Sequence, residues 1–217
     1  MDGATIQQRI YAGRAKAAAR IGLACAQYRP LSAAAPLGNL IGTVLAAFNS
    51  GDSNYRAPNL PGDPIWYADL DGRLTQPGDY LVRALDGQTW FIAGQQQLLP
   101  IIAVNCNRSL MVSRDVRTPT VGAVGYSGLA PATLTPVLGA PGKLWPASVL
   151  AGPKKESSSG LPAGVKNANW KVMLPPSVPV TIYPGDILTD DLGQRYSVEA
   201  AEQTDTGWRI TAFEAHS

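Results

Sequence analysis

Near one end of this 217-residue chain stand three carboxylates, Asp186, Asp190 and Asp191, and a second group, Asp69 and Asp71, precedes Gly72. Carboxylates so close together can hold a cation, or divide acid and base roles across a glycosidic bond. The stretch from Asp69 to Gly72 lacks the further oxygen ligands and the closing Glu of a calcium loop. For Asp186, Asp190 and Asp191, turn and hairpin-tip duty is an equally good account, because Asp accepts hydrogen bonds from the backbone that follows it.

Other chemistries fail on inventory. The only histidine is His216, next to the last residue, and a general base must be held to sub-ångström geometry. Gly125-Tyr126-Ser127-Gly128 has the wrong spacing for a nucleophile elbow, and Gly122, Gly125 and Gly128 match neither the dinucleotide fingerprint nor a P-loop. Cys25 and Cys106 cannot make a disulfide framework, have no Cys or His at zinc spacing, and read as small buried apolar residues. Trp66, Tyr67, Trp90, Trp145, Trp170 and Trp208 would make a sugar-binding platform if exposed; anchoring in cores and interfaces is the commoner use. No catalytic, cofactor-binding or metal-binding residue is therefore assigned, and no cofactor is expected.

The elements that must carry these residues centre on a repeated stretch. Pro77-Gly78-Asp79-Tyr80-Leu81-Val82 runs through Asp86-Gly87-Gln88 to Trp90-Phe91-Ile92. Pro184-Gly185-Asp186-Ile187-Leu188 runs through Gly193-Gln194 to Tyr196-Ser197-Val198, and one gap aligns the two. Pro presets φ, Gly supplies positive φ and Asp caps the turn, so each copy predicts a turn, a strand, a hairpin tip and a returning strand.

Residues 4 to about 24 predict an amphipathic helix capped by Asp2 or Thr5, with Gly22 at its exit. Ile6, Ile10, Ala17 and Ile21 form the stripe expected to pack, beside a cationic line of Arg9, Lys16 and Arg20. Leu40 to Phe48 is strand or short helix; Ile65 to Ala68, Ala103 to Arg114, Trp170 to Leu174, Val178 to Ile182, Tyr196 to Ala200 and Gly207 to Phe213 predict strands. Residues 118–171, rich in Pro and Gly, predict an arm or insertion that orders on a partner. The expected fold is mainly β with an N-terminal α-helix (α+β), an antiparallel β-sandwich or barrel built from two similar hairpin units. Its parts are a helical segment at 1–30, a first β unit at 31–117, the arm at 118–171 and a second β unit at 172–217.

Charged residues make up only 16% of the chain, so part of the surface is expected to be covered by partners. The net charge of +2 does not by itself argue for nucleic acid, and contact with it would be incidental. The two ends are electrostatic opposites: residues 1–30 carry five basic residues and one acidic, and residues 172–217 carry two basic and seven acidic. The sequence reads as having no signal peptide and no stretch of about 18 apolar residues for a membrane-spanning helix.

Several words in order, Tyr11-Ala12-Gly13, Tyr28-Arg29-Pro30, Gln76 to Val82, Leu98-Leu99-Pro100-Ile101, Cys106-Asn107-Arg108, Trp145 to Leu150, Leu188 to Tyr196 and Gly207 to Thr211, resemble a family of small structural proteins of tailed bacteriophages. These are virion components of the head-tail connector, neck or tail-completion type. The resemblance implies a non-enzymatic protein made in the bacterial host's cytoplasm and built into the virion as a homo-oligomeric ring. Implied partners are portal, connector or tail proteins, with a fibre protein as a further one, and no membrane. The partner contacts expected are Arg9, Lys16 and Arg20 on the helix, and Trp145, Lys154, Lys155 and Trp170 in and beside the arm. The alternative is a virion-surface glycan-binding or tail-fibre-attachment module.

Overall fold

An Ala-rich run with an Asp before it and a Gly after it makes helix α1, Gly3–Ile21, in the computed structural model, which describes residues 2–49, 64–115, 134–152 and 169–215. Asp2 is the N-cap, its carboxylate accepting from Thr5 N at 2.8 Å, and Gly22 ends the helix by donating to Ala18 O. The face that packs differs from the expected stripe. Gln7, Tyr11 and Ala18 are buried, while Ile6 and Ile21 remain 37% and 64% exposed. Docking is set by shape and polar reach: Tyr11 lies over Gly72, where a Cβ would come within 2.5 Å of its ring, and Gln7 accepts from Leu98 N.

The first β unit comprises β1 (Leu23–Tyr28), β2 (Leu40–Asn49), β3 (Ile65–Asp69), β4 (Tyr80–Arg83), β5 (Thr89–Gly94) and β6 (Ile101–Cys106). All pairings are antiparallel, and the order β1-β2-β3-β6-β5-β4 closes into a barrel, β4 returning beside β1 as in a Greek key. The second unit comprises β7 (Arg108–Asp115), β8 (Leu134–Leu138), β9 (Trp145–Ala151), β10 (Asn169–Leu174), β11 (Ile187–Asp190), β12 (Arg195–Thr204) and β13 (Gly207–Glu214). Its order is β11-β12-β13-β10-β9-β7-β8, and β11 also pairs with β7, which closes it too.

The pairings show that the second barrel repeats the first, strand for strand. Tyr28 faces Tyr80 across β1 and β4; Ser113 faces Ile187 across β7 and β11. A bulge between Ile92 and Gly94 in β5 is matched by one between Val198 and Ala200 in β12. β8 and β9 together stand for β2. Opposite β1, Gln27 meets Gly42 and Cys25 meets Val44; opposite β7, Val112 meets Leu138 and Leu110 meets Trp145. Thr43 alone fills the first interval, whereas residues 139–144 fill the second, turning at Gly139 and Gly142 with φ of 79° and 78°. An insertion thus splits one strand into two.

This repeat redraws the expected parts. The strand expected from Ala103 to Arg114 is two strands, β6 and β7, with Asn107 between them, and the boundary between barrels falls there rather than at 117. The tract 118–171 is not an arm throughout, because β8, β9 and the start of β10 belong to the second barrel. Residues 116–133 and 153–168 lie outside the described residues. The segment 1–30 includes β1 as well as the helix. No strand forms at Val178 to Ile182; prolines 175, 176 and 179 remove ladder donors, and Val178 and Ile182 reach the core from irregular backbone.

Two cores result. Leu81, Trp90, Ile92 and Ala103 point into the first barrel, with Phe48 stacked on Trp90 at 3.9 Å between centroids. Tyr80, Phe91 and Val104, on the opposite face of the same strands, join the core of the second barrel. β4 and β5 are therefore buried on both sides where the barrels meet, which is why Trp90 to Ala93 is a continuous apolar run.

Candidate functional site

The Pro-Gly-Asp copies come to equivalent places, and each carboxylate meets an arginine. In the first barrel Asp79 is fully buried and receives Arg29 in a fork, Nε to Oδ1 at 2.8 Å and Nη2 to Oδ2 at 2.9 Å. Gln27 Nε2 at 2.7 Å and Gln76 N at 3.0 Å complete its shell. In the second, Asp186 receives Arg114, both contacts at 2.8 Å, and Tyr183 N at 2.9 Å. The backbone frames match bond for bond: Gly78 N donates to Ile92 O and Ile92 N to Asp79 O, as Gly185 N does to Val198 O and Val198 N to Asp186 O. Gly78 and Gly185 have φ of 93° and 91°, which a side chain would strain. Each pair ties the start of β4 or β11 to the end of β1 or β7. Saturated by donors, these carboxylates act as clamps rather than as acids or bases.

The remaining carboxylates are occupied in similar ways. Asp190 accepts from Leu192 N and Gln194 N at the hairpin tip and from the Tyr196 hydroxyl, whose pKa burial and this carboxylate both push up. Asp69 pairs with Arg14 at 3.2 Å, and Asp71 with Arg73 at 2.6 Å. Among the described residues no group of three or more His, Cys, Asp or Glu could hold a metal ion. Ser127, the glycines at 122, 125 and 128, and His216 lie outside the described residues. Burial pushes the Cys25 thiol up to about 11 and the Cys106 thiol higher still, so neither is a poised nucleophile.

The partner-contact candidates divide. Arg9, Lys16 and Arg20 are exposed on α1 and have no ion-pair partner among the described residues. Trp145 is a correction: it is fully buried, donates its indole N–H to Ala33 O at 2.7 Å and meets the Tyr80 ring edge-on, so it holds the barrels together instead of reaching outward. Trp170 is half-buried, packed edge-on against Tyr196 inside its barrel, and its equivalent in the first barrel is Trp66. Lys154 and Lys155 lie outside the described residues. Trp90 and Trp208 are 2% and 3% exposed, so with Trp145 they form no open sugar platform.

What the sequence reading missed is the join. The Tyr80 hydroxyl donates to Pro146 O at 2.8 Å, and the Asn107 side chain brackets Val149, donating to its O at 2.8 Å and accepting from its N at 2.7 Å. A cavity of about 490 Å³ lies between residues 35–38 and residues 142–144 of the insertion, with Ser109 and Asp191 in its wall. The repeated Pro-Gly-Asp signals the turns but not the clamps, because Arg29 and Arg114, at the ends of equivalent strands, lie 50 and 72 residues from their partners in sequence.

Comparison with family models, with curated proteins and with solved structures yields no match. No described helix is long and apolar enough to cross a membrane.

Proposed function

We propose that this chain is a non-enzymatic structural protein of a tailed-phage particle, a ring-forming connector or tail-completion subunit at the junction of portal and tail. The observation that carries the reading is the tandem of two equivalent barrels joined through unlike faces. A contact between unlike faces leaves one of each kind unused, and such contacts close into rings when the rotation permits. Two further features support it. The carboxylates at the repeated motif are consumed in structural clamps, and α1 presents Arg9, Lys16 and Arg20 with no ion-pair partner among the described residues. That cationic face suits an acidic surface on a neighbouring ring or on a portal or tail protein.

Localising the protein by labelled imaging on purified particles tests the role. Density confined to the neck or the upper tail is the expected result. A position on the fibres or on the outer shell would overturn it in favour of an attachment module.

A further inference from the structure

We infer that copies of this chain meet head to tail, through a contact between chains that repeats the one joining the two barrels within a chain. This deepens the proposed ring-forming role and rests on it.

Within one chain the contact has a donor face and an acceptor face. The donor face is a cross-strand row on the outside of the first barrel, Tyr80 opposite Phe91 opposite Val104, all fully buried. The acceptor face is the outside of β9. Strand alternation points Trp145, Ala147 and Val149 into the second barrel and Pro146 and Ser148 out of it, yet Pro146 and Ser148 are buried as well. The first barrel lies against this strand, with β6 on β9 and the Tyr80 hydroxyl donating to Pro146 O.

The strand-for-strand repeat locates the unused counterparts. The second barrel's row is Ile187 opposite Ser197 opposite Phe213, in the same register and only half-buried. On the first barrel, Pro146 corresponds to Leu45 and Ser148 to Ala47, since β2 pairs with β1 as β9 pairs with β7. Leu45 is 43% exposed, and beside it Ala24 and Thr43 are exposed too. α1 packs against β2 and β3, with Gly22 at the backbone of Ala46 and with Tyr11, Arg14 and Gln7 docked at Gly72, Asp69 and Leu98, and it leaves Leu45, Ala24 and Thr43 exposed. A half-buried donor row, with Ile187 and Phe213 either side of Ser197, at one end and an acceptor strand exposing Leu45 at the other are what a second copy of the chain would join. The occupant is therefore identified by continuity with the interface already present, whose geometry is the same: one barrel's outer strands laid on the outside of another's second strand.

The test mixes two variants that each add one cysteine to the native Cys25 and Cys106, Leu45→Cys and Ser197→Cys, under mild oxidation, alongside Leu45→Glu analysed by light scattering at matched concentration. The expected result is a disulfide-linked dimer in the mixture and none in either variant alone, because unlike faces meet. Leu45→Glu is expected to keep its far-UV circular dichroism and to lose more than tenfold of the assembled species. Self-linking of Leu45→Cys would show a symmetric contact and overturn the inference. An oligomer that forms without the mixed cross-link and tolerates Leu45→Glu would overturn this interface while leaving the ring-forming role standing. A wild-type chain that stays at single-chain mass throughout would overturn both.

Discussion

Two ion pairs of the same design should behave unlike a third that merely resembles them. Arg29 and Arg114 serve carboxylates that are fully or almost fully buried, whereas the Arg73 side chain is 46% exposed in its pair with Asp71. Removing the partner of a buried charge costs roughly 3–5 kcal/mol, and Arg29→Met belongs near the lower end because Gln27 and Gln76 still donate to Asp79. Arg73→Ala should cost under about 1 kcal/mol. Urea unfolding of the two variants checks the order; equal losses would contradict the clamp role. Cys25 supplies a pH prediction. Its thiol titrates at about 11 in the folded chain against 9.0 ordinarily, so the fold holds the proton. The stability gained is complete below pH 9 and is lost as pH rises from 9 towards 11. Cys25→Ala should flatten that alkaline loss in urea midpoints, and native Cys25 should resist thiol reagents at pH 8 until the protein unfolds. Neither clamp was legible in the sequence, because Arg29 and Asp79, and Arg114 and Asp186, lie far apart in the chain and leave no local pattern; the Pro-Gly-Asp turn was legible because its hydrogen bonds are local.

At the scale of elements, the two Pro-Gly-Asp turns are matched in backbone but not in surroundings. A Cβ on Gly78 would lie 2.4 Å from Ser177 Cβ, while one on Gly185 meets nothing within 4 Å. Gly185→Ala should therefore cost only the left-handed strain of about 1–2 kcal/mol, and Gly78→Ala distinctly more. Thermal unfolding of the pair checks this, and equal shifts would show that Ser177 yields freely. Helix α1 was legible in its limits, since the caps are local, but not in its face. Periodicity selects an apolar stripe, whereas the docking surface offers a glycine, a carboxylate and a backbone N–H, and these select Tyr11, Arg14 and Gln7. Similarly, Val178 to Ile182 has strand composition, but its prolines decide against pairing.

For the whole molecule, the mainly β fold and its two similar halves follow from turn chemistry repeated at a fixed spacing. The completeness of the repeat was hidden. Residues 139–144 split the counterpart of β2 inside a tract whose Pro and Gly content reads as loop, so β8 and β9 carry no strand signal of their own and read as part of an arm. The halves share few residue types beyond the turns, because opposite faces of corresponding strands meet different neighbours: Tyr80, Phe91 and Val104 are buried by the second barrel, whereas Ile187, Ser197 and Phe213 are not fully covered. That asymmetry is the physical content of the assembly proposal. Negative-stain imaging of the purified chain, with its mass in solution, tests this most directly. The account predicts closed rings of one subunit number, and discrete single-chain particles at every concentration examined would contradict it.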